Sequence, residues 1–98
     1  MMTDPTTLLP GPVVAVVTLH RSETAVALAK ALVAGGVPAL ELHCTPAVAA
    51  AAIPAILAEV PEAVPGVGLV ATPQDVARAI ADGAKFLTSL GTTPATAA

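Results

Sequence analysis

Apolar positions along this chain fall into two alternating patterns, short runs with almost no polar interruption and longer stretches where apolar side chains return every third or fourth residue. The first run, Val13-Val14-Ala15-Val16-Val17-Thr18, is β-branched and uncharged. That pattern predicts a central strand covered on both faces, with Leu19-His20-Arg21 as the loop after it. Ser22 is then the expected N-cap with Glu23 in the first turn, and Ala25, Leu28, Ala29, Leu32 and Val33 recur at helical spacing. Gly35-Gly36 closes this helix, because a residue free to take positive φ ends one well. Val37 to Leu42 follows as a second, nearly continuous apolar run and predicts a second buried strand.

The same alternation continues. Thr45-Pro46 reads as an N-cap and first-turn proline, opening an alanine-rich helix toward Glu59. Pro54 lies inside it at a cost of roughly 3 kcal/mol, so a kink or restart is expected near Ile53. Residues 61–65 read as a turn, and Gly66-Val67-Gly68-Leu69-Val70 as strand three, its glycines placed where another backbone can approach closely. Thr72-Pro73-Gln74-Asp75 predicts a capped helix start, with Val76, Ala79 and Ile80 as the inward stripe and Asp82-Gly83 as the stop. Residues 84–88, around Phe86, form strand four. The order is βαβαβαβ, with strands recurring about every 20 to 26 residues, as parallel strands joined by crossover helices do. Residues 1–12 read as a flexible lead-in, 13–91 as one domain, and 92–98 as a tail in which the pattern stops.

Composition narrows this picture. A chain of 98 residues holds one domain at most, far short of the roughly 250 residues of a complete eightfold barrel. Hydrophobic residues make up 55%, but much of that share is alanine, so the expected core is shallow. With one aromatic residue, four Lys plus Arg and a net charge of −3, the chain offers neither a basic patch nor a stacking platform, which argues against nucleic acid. A mean hydropathy of +0.83 raises the question of a membrane span between Glu41 and Glu59. That interval contains His43, Thr45, Pro46 and Pro54 and is mostly alanine, so no membrane partner is expected. The lone Cys44 excludes an internal disulfide, and the N-terminus lacks a signal-peptide pattern, so a cytoplasmic location is expected.

Glu41 is the anomaly of the second run. A carboxylate there loses hydration and must find a partner, a proton or a function. It shares a strand face with His43 by the period of two, Cys44 is adjacent, and His20 follows strand one at the same end of the sheet. Together they could hold a divalent metal. Their spacing fits no standard zinc motif, however, and no metal is expected.

Several segments resemble one family. They are Val14-Ala15-Val16-Val17, Ala29-Lys30-Ala31-Leu32-Val33-Ala34-Gly35-Gly36-Val37-Pro38, Leu40-Glu41, Gly66-Val67-Gly68-Leu69-Val70, and Asp82-Gly83-Ala84-Lys85-Phe86 through Ser89-Leu90-Gly91. In order and spacing they resemble the first half of the 2-keto-3-deoxy-6-phosphogluconate and 2-keto-4-hydroxyglutarate aldolases. The resemblance implies an α/β fold that is a partial (β/α)8 TIM barrel, with about three βα units plus a fourth parallel strand. It implies a class I lyase that cleaves a 2-keto acid to pyruvate and an aldehyde through a lysine Schiff base, with no cofactor. Glu41 matches the family's proton-shuttling glutamate, the preferred reading; the alternative is a residual polar group satisfied by neighbouring hydroxyls. By the same match Thr45 and Ser89 are expected to bind substrate.

The chain also departs from that pattern. The family's glutamate is followed by Val-Thr-Leu-Arg-Thr, whose Arg grips the substrate carboxylate, whereas Leu42-His43-Cys44-Thr45 carries no Arg. Leu69 replaces a substrate-binding Thr, and Leu90 replaces the Pro of Ser-Pro-Gly. The Schiff-base lysine belongs to a strand beyond Ala98, while Lys30 falls mid-helix and Lys85 at the start of strand four, the end of a barrel strand tied to stability. The first expectation is therefore a truncated or degenerate aldolase, inactive alone, that meets its small 2-keto acid only when completed by the missing half. The second is a non-catalytic half-barrel that forms a homo-oligomer or pairs with another subunit through the open edges of strands one and four. A third is a small-ligand α/β domain using the crevice at the strand C-termini.

Overall fold

A computed structural model describes residues 13–88 of the chain. The expected lead-in, Ser89 and the tail lie outside the described residues. Three strands, β1 (Ala15–Thr18), β2 (Ala39–His43) and β3 (Val64–Val67), form a parallel sheet in the order β1-β2-β3. Three helices alternate with them: α1 (Ala25–Ala34), α2 (Pro46–Glu59) and α3 (Pro73–Asp82). Register pairs Val16 with Glu41 and Thr18 with His43 on one side, and Glu41 with Gly66 on the other. The architecture is the α/β, partial-barrel one expected.

One face of the sheet carries the core. Leu40 and Leu42 are fully buried with Ala25 and Ala29 of α1 and Ala49, Ala52, Ile53 and Ile56 of α2. α2 packs between α1 and α3 and is the central helix of the layer. The other face is thinly covered: β1 alternates half-buried and exposed residues, and Val16 is 64% exposed. β1 is thus an edge strand covered on one face, not the central strand covered on both that its uncharged run suggested, because among the described residues it pairs with β2 alone.

Local chemistry sets most element ends. Gly36 adopts φ 87°, and Gly36 N and Val37 N donate to Val33 O and Leu32 O at 3.0 and 2.9 Å, closing α1. Thr45 Oγ1 accepts from Val48 N at 3.3 Å with Pro46 in the first turn of α2. Thr72 and Asp75 form a reciprocal capping box on α3, and Gly83 ends it at φ 97°. Ser22 does not cap a helix. It opens a short 3-10 turn, Ser22–Thr24, that leads into α1 with no side-chain cap at either N-terminus.

Four further expectations are corrected. α2 runs unbroken through Pro54, and both Pro54 and Ala50, whose carbonyl the proline cannot serve as donor, are exposed, which lets solvent take the place of the missing bond. β3 begins at Val64 and includes Pro65, so 61–65 is only partly a turn. Val64 N and Gly68 N donate to Pro38 O and Leu42 O of the β2 side at 2.8 and 3.0 Å, whereas Val67 N donates to Phe86 O at 3.1 Å. The missing N–H of Pro65 therefore points away from β2, where only its carbonyl is used, accepting from Lys85 N at 2.8 Å. Strand four is reduced to a parallel bridge between Val67 and Leu87, extended by a Thr88 N to Val67 O bond of 3.0 Å. Ile80 is 64% exposed while Ala79 is buried, because among the described residues α3 packs against one helix, α2.

Candidate active site at the end of strand two

β2 places its side chains alternately, so Leu40 and Leu42 enter the core while Glu41 and His43 emerge together on the opposite face. The His43 Nε2 nitrogen hydrogen bonds to the Glu41 Oε2 oxygen. Side-chain exposures of 14% for Glu41 and 23% for His43 leave the pair shielded but reachable from solvent. Glu41 is thus partnered by an imidazole and not by the neighbouring hydroxyls that the bland reading of this residue supposed.

The two glycines of β3 and its extension explain the space. A Cβ on Gly66 would stand 2.5 Å from the Phe86 ring, and one on Gly68 would stand 2.6 Å from Glu41 Oε2 and overlap the His43 imidazole. Both glycines admit side chains from the sheet face, not a neighbouring backbone as expected. Leu69 follows at φ 62° and is 50% exposed. A residue with a Cβ pays roughly 1 kcal/mol or more for the left-handed region, so the chain is held there by its surroundings at the C-terminal end of β3.

The other candidates do not converge on this pair. Among the described residues no three of His, Cys, Asp and Glu come together, so His20, Glu41, His43 and Cys44 form no metal-binding group. Thr45 is exposed and engaged as the α2 cap. Lys30 and Lys85 are both exposed, the first on α1 and the second in the segment before the Val67–Leu87 bridge. Cys44 is half-buried, and burial pushes its thiol above the ordinary cysteine value, which disfavours a nucleophilic thiolate.

A cleft of about 160 Å³ lies behind Gly68 on the α3 side, lined by Cys44, Pro46, Asp75, Arg78 and Asp82 among others. Glu41 and His43 do not line it. Two of its ionic groups serve the helix: Ala71 N and Thr72 N donate to Asp75 Oδ2 at 3.0 and 3.2 Å, and Arg78 Nη1 stands 3.7 Å from Asp75 Oδ1, whereas Asp82 Oδ2 is buried without a hydrogen-bond partner among the described residues. The Ala71 N–H first, with the Thr72 bonds and Arg78 behind it, holds the Asp75 carboxyl below the usual aspartate value against a smaller effect of burial. Sequence reasoning found the shared face of Glu41 and His43 through the period of two. It missed Gly68 as their seat, because residues so far apart in the chain carry no common signal until β2 and β3 are in register.

Comparison with known proteins bears on the family and the fold. The family model described as "Aldolase: KDPG and KHG aldolase" matches residues 6–97. The 2-dehydro-3-deoxy-phosphogluconate aldolase of Dickeya dadantii is 49% identical over 86 residues, covering 88% of this chain and 40% of its own length. The KHG/KDPG aldolase of Escherichia coli is similar to the same degree and extent. Among solved structures, the KDPG aldolase of Legionella pneumophila, which holds pyruvate captured at low pH as a covalent carbinolamine, superposes with a TM-score of 0.79 at 33% identity. It covers 96% of this chain and 46% of its own. The chain thus spans less than half the length of the relatives it matches. Since the likeness runs through every described element in sequence and in structure alike, the chain belongs to the family of KDPG and KHG aldolases.

Proposed function

We propose that this chain supplies the first half of an aldolase barrel, with Glu41 as its proton-transfer group, and performs no aldol cleavage as the 98-residue polypeptide alone. The single observation that carries this reading is the place of Glu41: a shielded but reachable carboxylate near the C-terminal end of a parallel strand, facing away from the helices. Cleavage through a Schiff base needs a neutral lysine amine to add to the keto carbon, lose water and hold the resulting imine while the carbon–carbon bond breaks. Lys30 and Lys85 are exposed and stand on other elements. Glu41 can move protons only once that bond exists, a contribution of roughly 10² to 10⁴ in rate.

The substrate class in this reading is a small 2-keto acid, supported by the pyruvate captured in the Legionella relative. Thr45 and Ser89 are the proposed contacts; Thr45 Oγ1 accepts from Val48 N and keeps its own O–H to donate to a substrate oxygen. A cytoplasmic location without nucleic-acid or membrane partners goes with the reading, and the net charge of −3 with only four Lys plus Arg supports the lack of a nucleic-acid partner. Borohydride reduction with pyruvate followed by intact-mass measurement tests it. The chain alone should show no adduct. Joined to the remaining strands of a relative it should show one on that half's lysine, with turnover that Glu41→Gln lowers by roughly 10² or more. An adduct on Lys30 or Lys85 with turnover would overturn the reading in favour of a minimal aldolase.

A second reading, that half-barrels pair with one another, is favoured by Val16, 64% exposed on the thinly covered face, and by the outer edge of β1, unpaired among the described residues. Light scattering separates the two: a monodisperse 9.5 kDa monomer with cooperative unfolding would count against pairing.

A further inference from the structure

We propose that His43 and Gly68 together position Glu41: the imidazole hydrogen bonds one carboxylate oxygen while the bare α-carbon of Gly68 leaves the volume in which the pair sits. The inference rests on the reading of Glu41 as a proton carrier. A glutamate has three rotatable side-chain bonds, and a carboxyl free to sample them would be badly placed for transfer to a bound substrate most of the time. Here His43 Nε2 is hydrogen bonded to Oε2, and because an ionised carboxylate can only accept, the tautomer that pairs with it carries its proton on Nε2. Oε1 is left to take or give the proton, and the donor stabilises the anionic form that Glu41 adopts after giving it up.

The surroundings supply no rival for this role. On the same face β1 presents Val16 beside Glu41 and Thr18 beside His43, and β3 presents Gly66 beside Glu41. None of these is titratable. The nearest ionisable neighbours in sequence are Cys44, which follows His43 directly, and His20, which follows β1 and is exposed. His43 is therefore the one titratable hydrogen-bond partner that the described strands offer to Glu41.

Gly68 makes the arrangement conditional. Its φ lies outside the left-handed region, so its backbone accepts any residue. Only the side chains object: an alanine Cβ would lie 2.6 Å from Glu41 Oε2, well inside contact distance, and would overlap the imidazole as well. Gly68→Ala should displace the pair while leaving the strand intact.

The test reads where the carboxylate sits. In the isotope-labelled 98-residue chain, a cross-peak between the Glu41 γ-protons and the Gly68 α-protons is expected, with a proton on His43 Nε2 in long-range ¹H–¹⁵N spectra. His43→Ala should lose the Glu41–Gly68 cross-peak, His43→Gln should retain it because its amide donor reaches about as far, and Gly68→Ala should shift both side chains. A cross-peak that survives His43→Ala, or that is absent from the unmodified chain, overturns the proposal. Should His43→Ala not fold, Glu41→Gln decides: unchanged His43 ring nitrogen shifts would overturn it. In the barrel completed with a relative's half, His43→Ala should lower kcat with KM unchanged and His43→Gln should restore it. A completed barrel without turnover would count against the aldolase reading alone, since the spectra judge the positioning independently.

Discussion

The two faces of β2 hold different kinds of residue within one short strand. Leu40 and Leu42 are fully buried against α1 and α2, whereas Glu41 and His43 keep part of their surface and meet above Gly68. The helix face is apolar and filled; the opposite face has a carboxylate, an imidazole, two glycines and an exposed valine. Stability resides in the first and chemical potential in the second. The strand period of two lets both sets be held on one rigid backbone.

The largest expected effect should come from the filled face. Leu42→Ala removes a fully buried side chain and should cost about 2 to 5 kcal/mol, enough to unfold much of so small a domain, as read from the urea midpoint. Gly66→Ala comes next, because its Cβ would meet the buried Phe86 ring at 2.5 Å; a loss of about 1 to 3 kcal/mol is expected by the same measurement. It should exceed that of Gly68→Ala, whose neighbours are polar side chains able to swing toward water. Equal losses at the two glycines would mean that the Glu41–His43 pair is packed as tightly over Gly68 as the Phe86 ring is over Gly66.

Smaller effects probe the helix layer. Thr72→Ala should cost about 1 kcal/mol through the lost α3 cap, seen as a drop in melting temperature. Because Asp75 has a lowered folded pKa, its contribution is present in full above the ordinary aspartate value of 3.8 and fades as pH falls through the lower folded value. Amide-exchange protection at Ala71 and Thr72 should fall in that acid range, and Asp75→Asn should remove the dependence. Cys44 has the opposite sign: its raised folded pKa means that its contribution is present below 9.0 and is lost as pH rises through the higher folded value. Alkylation of Cys44 at pH 8 should therefore be slower in the folded chain than in urea. Least of all, Glu41→Gln should change stability by no more than about 0.5 kcal/mol, since the residue lies outside the core.

Much of the fold was legible in the sequence wherever a residue and its immediate neighbours decide the outcome. Thr45-Pro46, the Thr72–Asp75 box, Gly36 and Gly83 mark helix ends because capping and positive φ are satisfied within one turn. The site was half legible: Glu41 stood out as a charge in an apolar run, and its shared face with His43 followed from the period. Gly68 did not, since nothing near it in the chain explains why it must lack a side chain. Ser89 lies beyond the described residues, so its expected substrate contact stays part of the proposal.

The sequence by itself determined the alternation of strand and helix, the family resemblance and the single carboxylate worth suspecting. Tertiary structure alone decided that β3 starts two residues earlier than its glycines suggested and that Pro65 is tolerated because its absent N–H faces away from β2. It also decided which apolar residues stay in water, Val16 on an edge strand and Ile80 on a helix with one neighbour. Periodicity tells which residues share a face, but how many neighbours cover that face, and which distant residue must shrink to admit its side chains, depend on the packing of separate elements.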